Sequence, residues 1–181
     1  KLGLQEFLKS CEQAMDCEGE RWREEGFWKQ FFTKYKVTMM NYMACIYHID
    51  HRMEDALFIL EHLLEQLTSS KIGLAGRYRS SMTVISNLAI YYGENRQFAK
   101  CFQICKMGID LCLECGRGVK MGIYLGNKAE AMNNKEGNAT ELGKNWLKKA
   151  YYISDLMCNH SLAASIETYY RSLYESDIIW Y

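Results

Sequence analysis

Cys101, Cys105, Cys112 and Cys115, together with the segment His48-Ile49-Asp50-His51, have the residue types that metal or acid–base chemistry uses. Their spacing argues against that use. Positions 101, 105, 108, 112 and 115 advance by three and four residues, which is one stripe of an α-helix. Ligands strung over about four turns cannot converge on one ion, whereas free cysteine packs well as a small apolar side chain. The histidine segment falls where one helical pattern stops and the next starts. Asp50 is expected there as an N-cap, and the two histidines as residues favoured by a helix C-terminus. His62 and His160 have no evident partner in the sequence. There is no glycine-rich phosphate loop, nucleophile elbow or zincin pattern. No catalytic residue, metal or cofactor is expected, so the chain does not read as an enzyme.

The elements that could position a binding site are plainer. The chain has 181 residues, of which 49% are hydrophobic and 24% charged, the balance of a folded domain with a continuous core. It contains no proline, which favours long helices joined by short turns. Lys plus Arg and Asp plus Glu both number 22, so there is no basic excess for neutralising phosphates. No apolar run reaches the roughly 18 residues of a membrane span, and no secretory start is visible. Eight cysteines in a domain of this size point to a reducing, cytoplasmic setting with free thiols. Because the first residue is Lys1, a segment upstream of it is expected.

Apolar residues recur at three- and four-residue steps along most of the chain. They predict an opening helix over Leu4–Met15 and further helices over Phe27–Ile49 (including Phe31), Met53–Leu67 and Met82–Tyr92. Others follow over Phe98–Cys112, Met121–Ala131, Leu142–Met157 and Leu162–Tyr174. Turns are expected at Asp50-His51, Ser69-Ser70, Gly93-Glu94-Asn95, Gly116-Arg117-Gly118, Asn133–Asn138 and Asn159-His160-Ser161. Asn138 and Glu141 have the spacing of a capping box. The expectation is an all-α chain of about eight helices in antiparallel succession.

Those helices share a repeat. Met40, Met43, Ala44, Tyr47, Ala56 and Leu60 return at the same offsets as Ile85, Leu88, Ala89, Tyr92, Cys101 and Cys105. A third copy, with a longer central loop, uses Leu125, Gly126, Ala129, Gly143, Leu147 and Ala150. Small residues at Ala44, Ala56, Ala89, Cys101, Gly126, Gly143 and Ala150 would let helix backbones approach closely. These spacings resemble the tetratricopeptide repeat over roughly residues 37–157. The period departs from the family's, running 45 (89 − 44) and then 37 (126 − 89). The family's closing proline is missing, and Met40, Ile85 and Gly122 stand at its tryptophan position. The resemblance implies a right-handed superhelix of antiparallel helix pairs, a tetratricopeptide-like α-solenoid forming a single domain over 1–181 with flanking helices at both ends.

Within that family, the phrase Asn87-Leu88-Ala89-Ile90-Tyr91-Tyr92, followed by Phe98-Ala99-Lys100-Cys101, resembles the C-terminal sensor domains of Rgg/PlcR/ComR-type bacterial transcription regulators. That likeness implies quorum sensing: a signalling peptide bound in the concave groove, a homodimer, and transcription regulation through an upstream DNA-binding domain absent from this chain. Peptide binding would favour one superhelical curvature and so reset the spacing of the DNA-binding domains. The alternative is a protein–protein interaction scaffold with no DNA-binding partner domain.

In such a superhelix the first helix of each pair lines the groove. Its outward positions form three columns: Lys34, Thr38, Asn41, Cys45, His48; Arg79, Thr83, Asn87, Ile90; and Lys120, Tyr124, Asn127, Glu130. Asn41, Asn87 and Asn127 could each clamp a peptide backbone with a donor and an acceptor. Lys34, Arg79 and Lys120 could hold a terminal carboxylate. The expected peptide-binding set is therefore Lys34, Thr38, Asn41, Arg79, Thr83, Asn87, Lys120, Tyr124 and Asn127, although exposed Asn and Lys also make an ordinary solvated helix face. The partner would be a short peptide or a protein segment, with no membrane. Trp22, Trp28 and Trp146 read as packing residues, and the apolar tail Ile178-Ile179-Trp180-Tyr181 as a cap or a dimer contact.

Overall fold

The structure, a computed structural model, describes residues 2–29, 33–71 and 73–179. Phe31, and Trp180 with Tyr181 of the apolar tail, lie outside the described residues. The described residues are all-helical, with no strand among them. The long helices are α1 (Leu2–Met15), α3 (Lys34–Ile49), α4 (Met53–Ser69), α6 (Tyr78–Glu94), α7 (Phe98–Glu114), α8 (Met121–Glu136), α9 (Glu141–Leu156) and α10 (His160–Tyr174). Single-turn helices α2 (Glu25–Trp28) and α5 (Gly73–Gly76) intervene, as do 3-10 segments at Glu18–Arg23 and Gly118–Lys120. The expected run over Phe27–Ile49 is thus two helices, α2 and α3. Among the described residues no helix is long and apolar enough to cross a membrane.

The contacts divide the chain into two compact units, 1–84 and 85–181, with the boundary inside α6. In the first unit α3 and α4 form an antiparallel hairpin, with Ala44 and Ala56 fully buried. The 3-10 segment at Glu18–Arg23 inserts Trp22 into this hairpin at zero exposure. Its indole nitrogen donates to the Tyr47 hydroxyl at 3.2 Å, and its carbonyl accepts from the Trp28 indole at 2.6 Å. Four charges tie the segment down: Arg23 and Arg52 each contact both Glu20 and Asp55. Hydrogen bonds from Arg52 and then Arg23 hold the Glu20 carboxyl below its ordinary range.

The second unit contains Ile85–Glu94 of α6 and the helices α7 to α10. The α6 and α7 backbones approach at the predicted small positions, where the Cys101 thiol donates to the Ala89 carbonyl at 3.2 Å. Gly143 lies 2.3 Å, measured from its would-be Cβ, from Asn133 Oδ1. Gly126 departs from the expectation, since a side chain there would meet nothing within 4 Å. The close crossing of α8 on α9 is made one turn earlier, at Gly122, whose Cβ would fall 2.1 Å from Ser154 Oγ and 3.1 Å from the Ala150 carbonyl. Cys101, Cys105 and Cys112 are buried on the core side of α7, and no cluster of three or more potential metal ligands occurs among the described residues. A hydrogen bond with Cys101, then burial, pushes the Cys105 thiol well above its ordinary range.

One turn recurs throughout. At Asp16, His51, Arg96, Gly116 and Cys158 the chain leaves a helix in the left-handed conformation, with φ between 52° and 62°. In each, the next residue's N–H bonds back to the carbonyl five residues earlier, as in Arg52 to Tyr47 at 2.8 Å and Gln97 to Tyr92 at 2.8 Å. This is the Schellman closure. It corrects the capping expected at two places. Asp50 is the C-cap of α3, and the N-cap of α4 is Arg52, which makes no side-chain cap, because the left-handed residue falls at His51. The cap of α9 is Thr140, whose hydroxyl accepts from the Gly143 N–H at 2.9 Å, while Asn138 lies outside it. His51 and Arg96 are 45 residues apart (96 − 51), the period that separates Ala44 from Ala89.

Only Gly116 of these five is a glycine, and an L side chain in that region costs about 1–2 kcal/mol. Arg96 is exposed. Arg96→Gly is therefore expected to stabilise the chain by about 1 kcal/mol in urea unfolding. A loss of stability would mean that the Arg96 side chain makes a contact worth more than its backbone strain.

Candidate functional site

Five of the predicted groove residues line one cavity in the first unit. It holds about 160 Å³ and is walled by Lys34, Val37, Thr38, Asn41 and Tyr42 of α3 and by Arg79, Ser80, Thr83 and Val84 of α6. The i, i+4, i+7 spacing of Lys34, Thr38 and Asn41 puts them on one face of α3, and Arg79 and Thr83 are one turn apart on α6.

The chemistry of this cavity is graded. Val37 and Val84 are buried and form an apolar floor, with the exposed ring of Tyr42 at the side. Lys34 and Arg79 are both exposed, and neither has an ion-pair partner among the described residues. Two like charges facing one cavity attract an anion. Thr38 Oγ1 donates to the Lys34 carbonyl at 2.9 Å and Thr83 Oγ1 to the Arg79 carbonyl at 3.0 Å. Those bonds consume the hydroxyl protons and leave oxygen lone pairs facing a ligand N–H. Asn41 is buried, and its Nδ2 makes a long 4.0 Å contact with the Cys45 sulfur. The arrangement can hold a carboxylate at the rim, an aliphatic side chain on the floor, and a peptide N–H against the threonines.

The remaining predicted residues fall elsewhere. Asn127 lines a second cavity, in the second unit. Asn87 is half-buried on α6, and Lys120 is exposed on the 3-10 segment that precedes α8. Tyr124 is not on an open face as the columns predict. It is fully buried, its hydroxyl lies 3.1 Å from Ser86 Oγ, and its ring fills the space left by Gly108 of α7.

The cavity around Asn127 contains residues that the columns miss. Its lining includes Ala89, Ile90, Glu94, Glu130, Ala131 and Asn134. Glu94 continues the second column four residues past Ile90, and Asn134 continues the third four residues past Glu130. Both steps are readable as helical spacing, but the Gly93-Glu94-Asn95 turn expected there hides the first. The histidines also acquire partners: His62 stacks on Trp28 with ring centroids 4.8 Å apart, and His160 Nδ1 lies 3.3 Å from Asp155.

Compared with known proteins, the chain matches no family model, no curated protein and no solved structure.

Proposed function

We propose that this chain is a peptide-binding domain of tetratricopeptide-like helix pairs, and that its first-unit cavity captures the carboxy-terminal end of a short peptide. In this reading Lys34 and Arg79 hold the terminal carboxylate, Thr38 and Thr83 accept a peptide N–H, and the last side chain rests on Val37 and Val84. The observation that carries it is the joint lining of one cavity by Lys34, Thr38, Asn41, Arg79 and Thr83. A pair of cations with no ion-pair partner among the described residues, beside an apolar surface, is what a carboxylate next to an aliphatic side chain requires. The return of one closing turn at His51 and Arg96, at the 45-residue spacing of Ala44 and Ala89, supports a helix-pair repeat of the α-solenoid kind. The wider setting is the peptide-sensing part of a bacterial transcription regulator, and it rests on the sequence resemblance alone.

The probe is N-acetyl-Ala-Leu as the free acid, titrated calorimetrically into the full chain. A charge-assisted contact contributes about 1.5–3 kcal/mol when shielded, and less at exposed cations such as these. Arg79→Ala and Lys34→Ala are each expected to weaken binding about tenfold, about 1.4 kcal/mol, without moving the melting temperature. Unchanged affinity in both variants would end the reading.

A further inference from the structure

Along α3 the wall of the first-unit cavity changes character in order. Lys34, Thr38 and Tyr42 follow at i, i+4 and i+8, a single ridge of the helix, and all three line the cavity. The ridge reads cation, hydroxyl, aromatic ring, with Thr38 about 6 Å and Tyr42 about 12 Å along the helix from Lys34. The Tyr42 ring lies 6.3 Å from the Phe7 ring of α1, tilted by 57°, within the range of a favourable aromatic pair. The pair leaves much of each ring uncovered: Tyr42 is 48% exposed and Phe7 45%. Leu4, three residues before Phe7 on the same face of α1, is also exposed and widens the apolar surface there.

A single exposed ring is ordinary on a protein surface. Tyr35 and Ile49 are exposed on α3 as well, but neither lines the cavity. Tyr42 differs because one ring belongs both to the cavity wall and to the aromatic pair.

We infer that Tyr42 and Phe7 select the peptide upstream of its carboxylate, receiving an aromatic side chain at the third or fourth residue from the carboxy terminus. The inference rests on the carboxylate-capture reading and adds the class of ligand to it. With the carboxylate at Lys34 and a peptide N–H at Thr38, the bound chain runs along the ridge towards Tyr42. An extended chain advances about 3.3 Å per residue, so a span of about 12 Å brings the third or fourth residue from the end level with the ring. The second residue from the end falls short of it. A ligand ring set against Tyr42 and Phe7 covers apolar surface that is otherwise wet, and offset or edge-on contact suits its π-system. Phe7 and Leu4 have no hydrogen-bonding group in their side chains, so this covering strands no polar atom of theirs. A charged side chain would find no counter-charge on Leu4, Phe7 or Tyr42.

The test titrates the full chain calorimetrically with four free acids. They are N-acetyl-Ala-Ala-Ala-Leu and the same peptide with phenylalanine at its first, second or third position. Phenylalanine at the first or second position, fourth or third from the end, is expected to raise affinity about fivefold at the better of the two. At the third position, next to leucine, it should raise affinity by less than about twofold. Phe7→Ala should leave the affinity for the all-alanine peptide unchanged and abolish the gain. NMR of the wild-type chain, a readout that needs no variant, is expected to shift the Phe7 ring resonances with the favoured peptide and not with the all-alanine one. No gain at any position, equal gains at all three, or a gain that survives in folded Phe7→Ala would overturn the inference and leave the carboxylate reading in place. So would Phe7 ring shifts on dilution of the peptide-free chain, the signature of a second copy covering this face. Failure of every acid to bind would instead remove the carboxylate reading, and this inference with it.

Discussion

Trp22→Ala is expected to lower the unfolding free energy by about 3–5 kcal/mol, the cost of deleting a large, fully buried aromatic side chain. Several losses combine at this one site. The indole packs against Tyr47 and Phe58, with centroids 5.5 and 5.6 Å away, and the Arg23 guanidinium sits 4.6 Å above it. Its N–H also satisfies the Tyr47 hydroxyl, which in turn donates to Glu12 at 3.2 Å. The segment that carries Trp22 is short and includes Gly19 and Glu20 in left-handed backbone, so it has little intrinsic stability. Trp22 is its anchor. Urea unfolding monitored by circular dichroism gives the value directly. A cost below about 1 kcal/mol would show that the Glu20–Arg23–Arg52–Asp55 charges hold the segment without the indole.

A pair of glycine substitutions is expected to act in opposite directions. A Cβ at Gly108 would stand 2.5–2.7 Å from three ring carbons of Tyr124. That ring has zero exposure and its hydroxyl is engaged with Ser86, so it cannot withdraw without breaking other contacts. Gly108→Ala should therefore cost about 2 kcal/mol, within the usual range for overpacking. Gly126→Ala places its methyl in open space within a helix, and should gain about 0.5–1 kcal/mol because alanine loses less backbone entropy on folding. The same melts read both. If Gly126→Ala destabilised as much as Gly108→Ala, the close crossing would lie at Gly126 and the register described for α8 would be wrong.

That register shows where the sequence stops being informative. The helices were legible because apolar residues recur every three to four positions, and the small residues Ala44, Ala56, Ala89 and Cys101 were legible because they return at equal offsets. Gly122 and Gly126 are one turn apart on the same face of α8, and nothing in their identity says which of them meets α9. The mistaken choice at Gly126 and the misplacement of Tyr124 both lie on this helix. Helical spacing alone puts Tyr124 on the groove face, because its burial depends on a gap in another helix, at Gly108. The closing turns at His51, Arg96 and Cys158 were hidden for a different reason. A left-handed residue usually shows itself as glycine or asparagine, and these three are neither.

The candidate site was legible in proportion to how local it is. Lys34, Thr38 and Asn41 lie within two turns of one helix, so their shared face follows from spacing alone. Glu94 is not legible as a helix-face residue, because α6 continues through Gly93 into the expected turn, where glycine usually signals a stop. The cavity around Asn127 draws Glu94 and Glu130 from different helices, and one sequence does not record that they meet.

The carboxylate-capture reading makes its sharpest statement about a single functional group. Full-length chain titrated with N-acetyl-Ala-Leu as the acid, and separately as the carboxamide, compares two ligands differing only in that terminal charge. The acid is expected to bind at least tenfold more tightly, with NMR shifts confined to residues around Lys34, Thr38, Arg79 and Thr83. Equal affinity for acid and amide, or shifts that avoid this cavity, would contradict it.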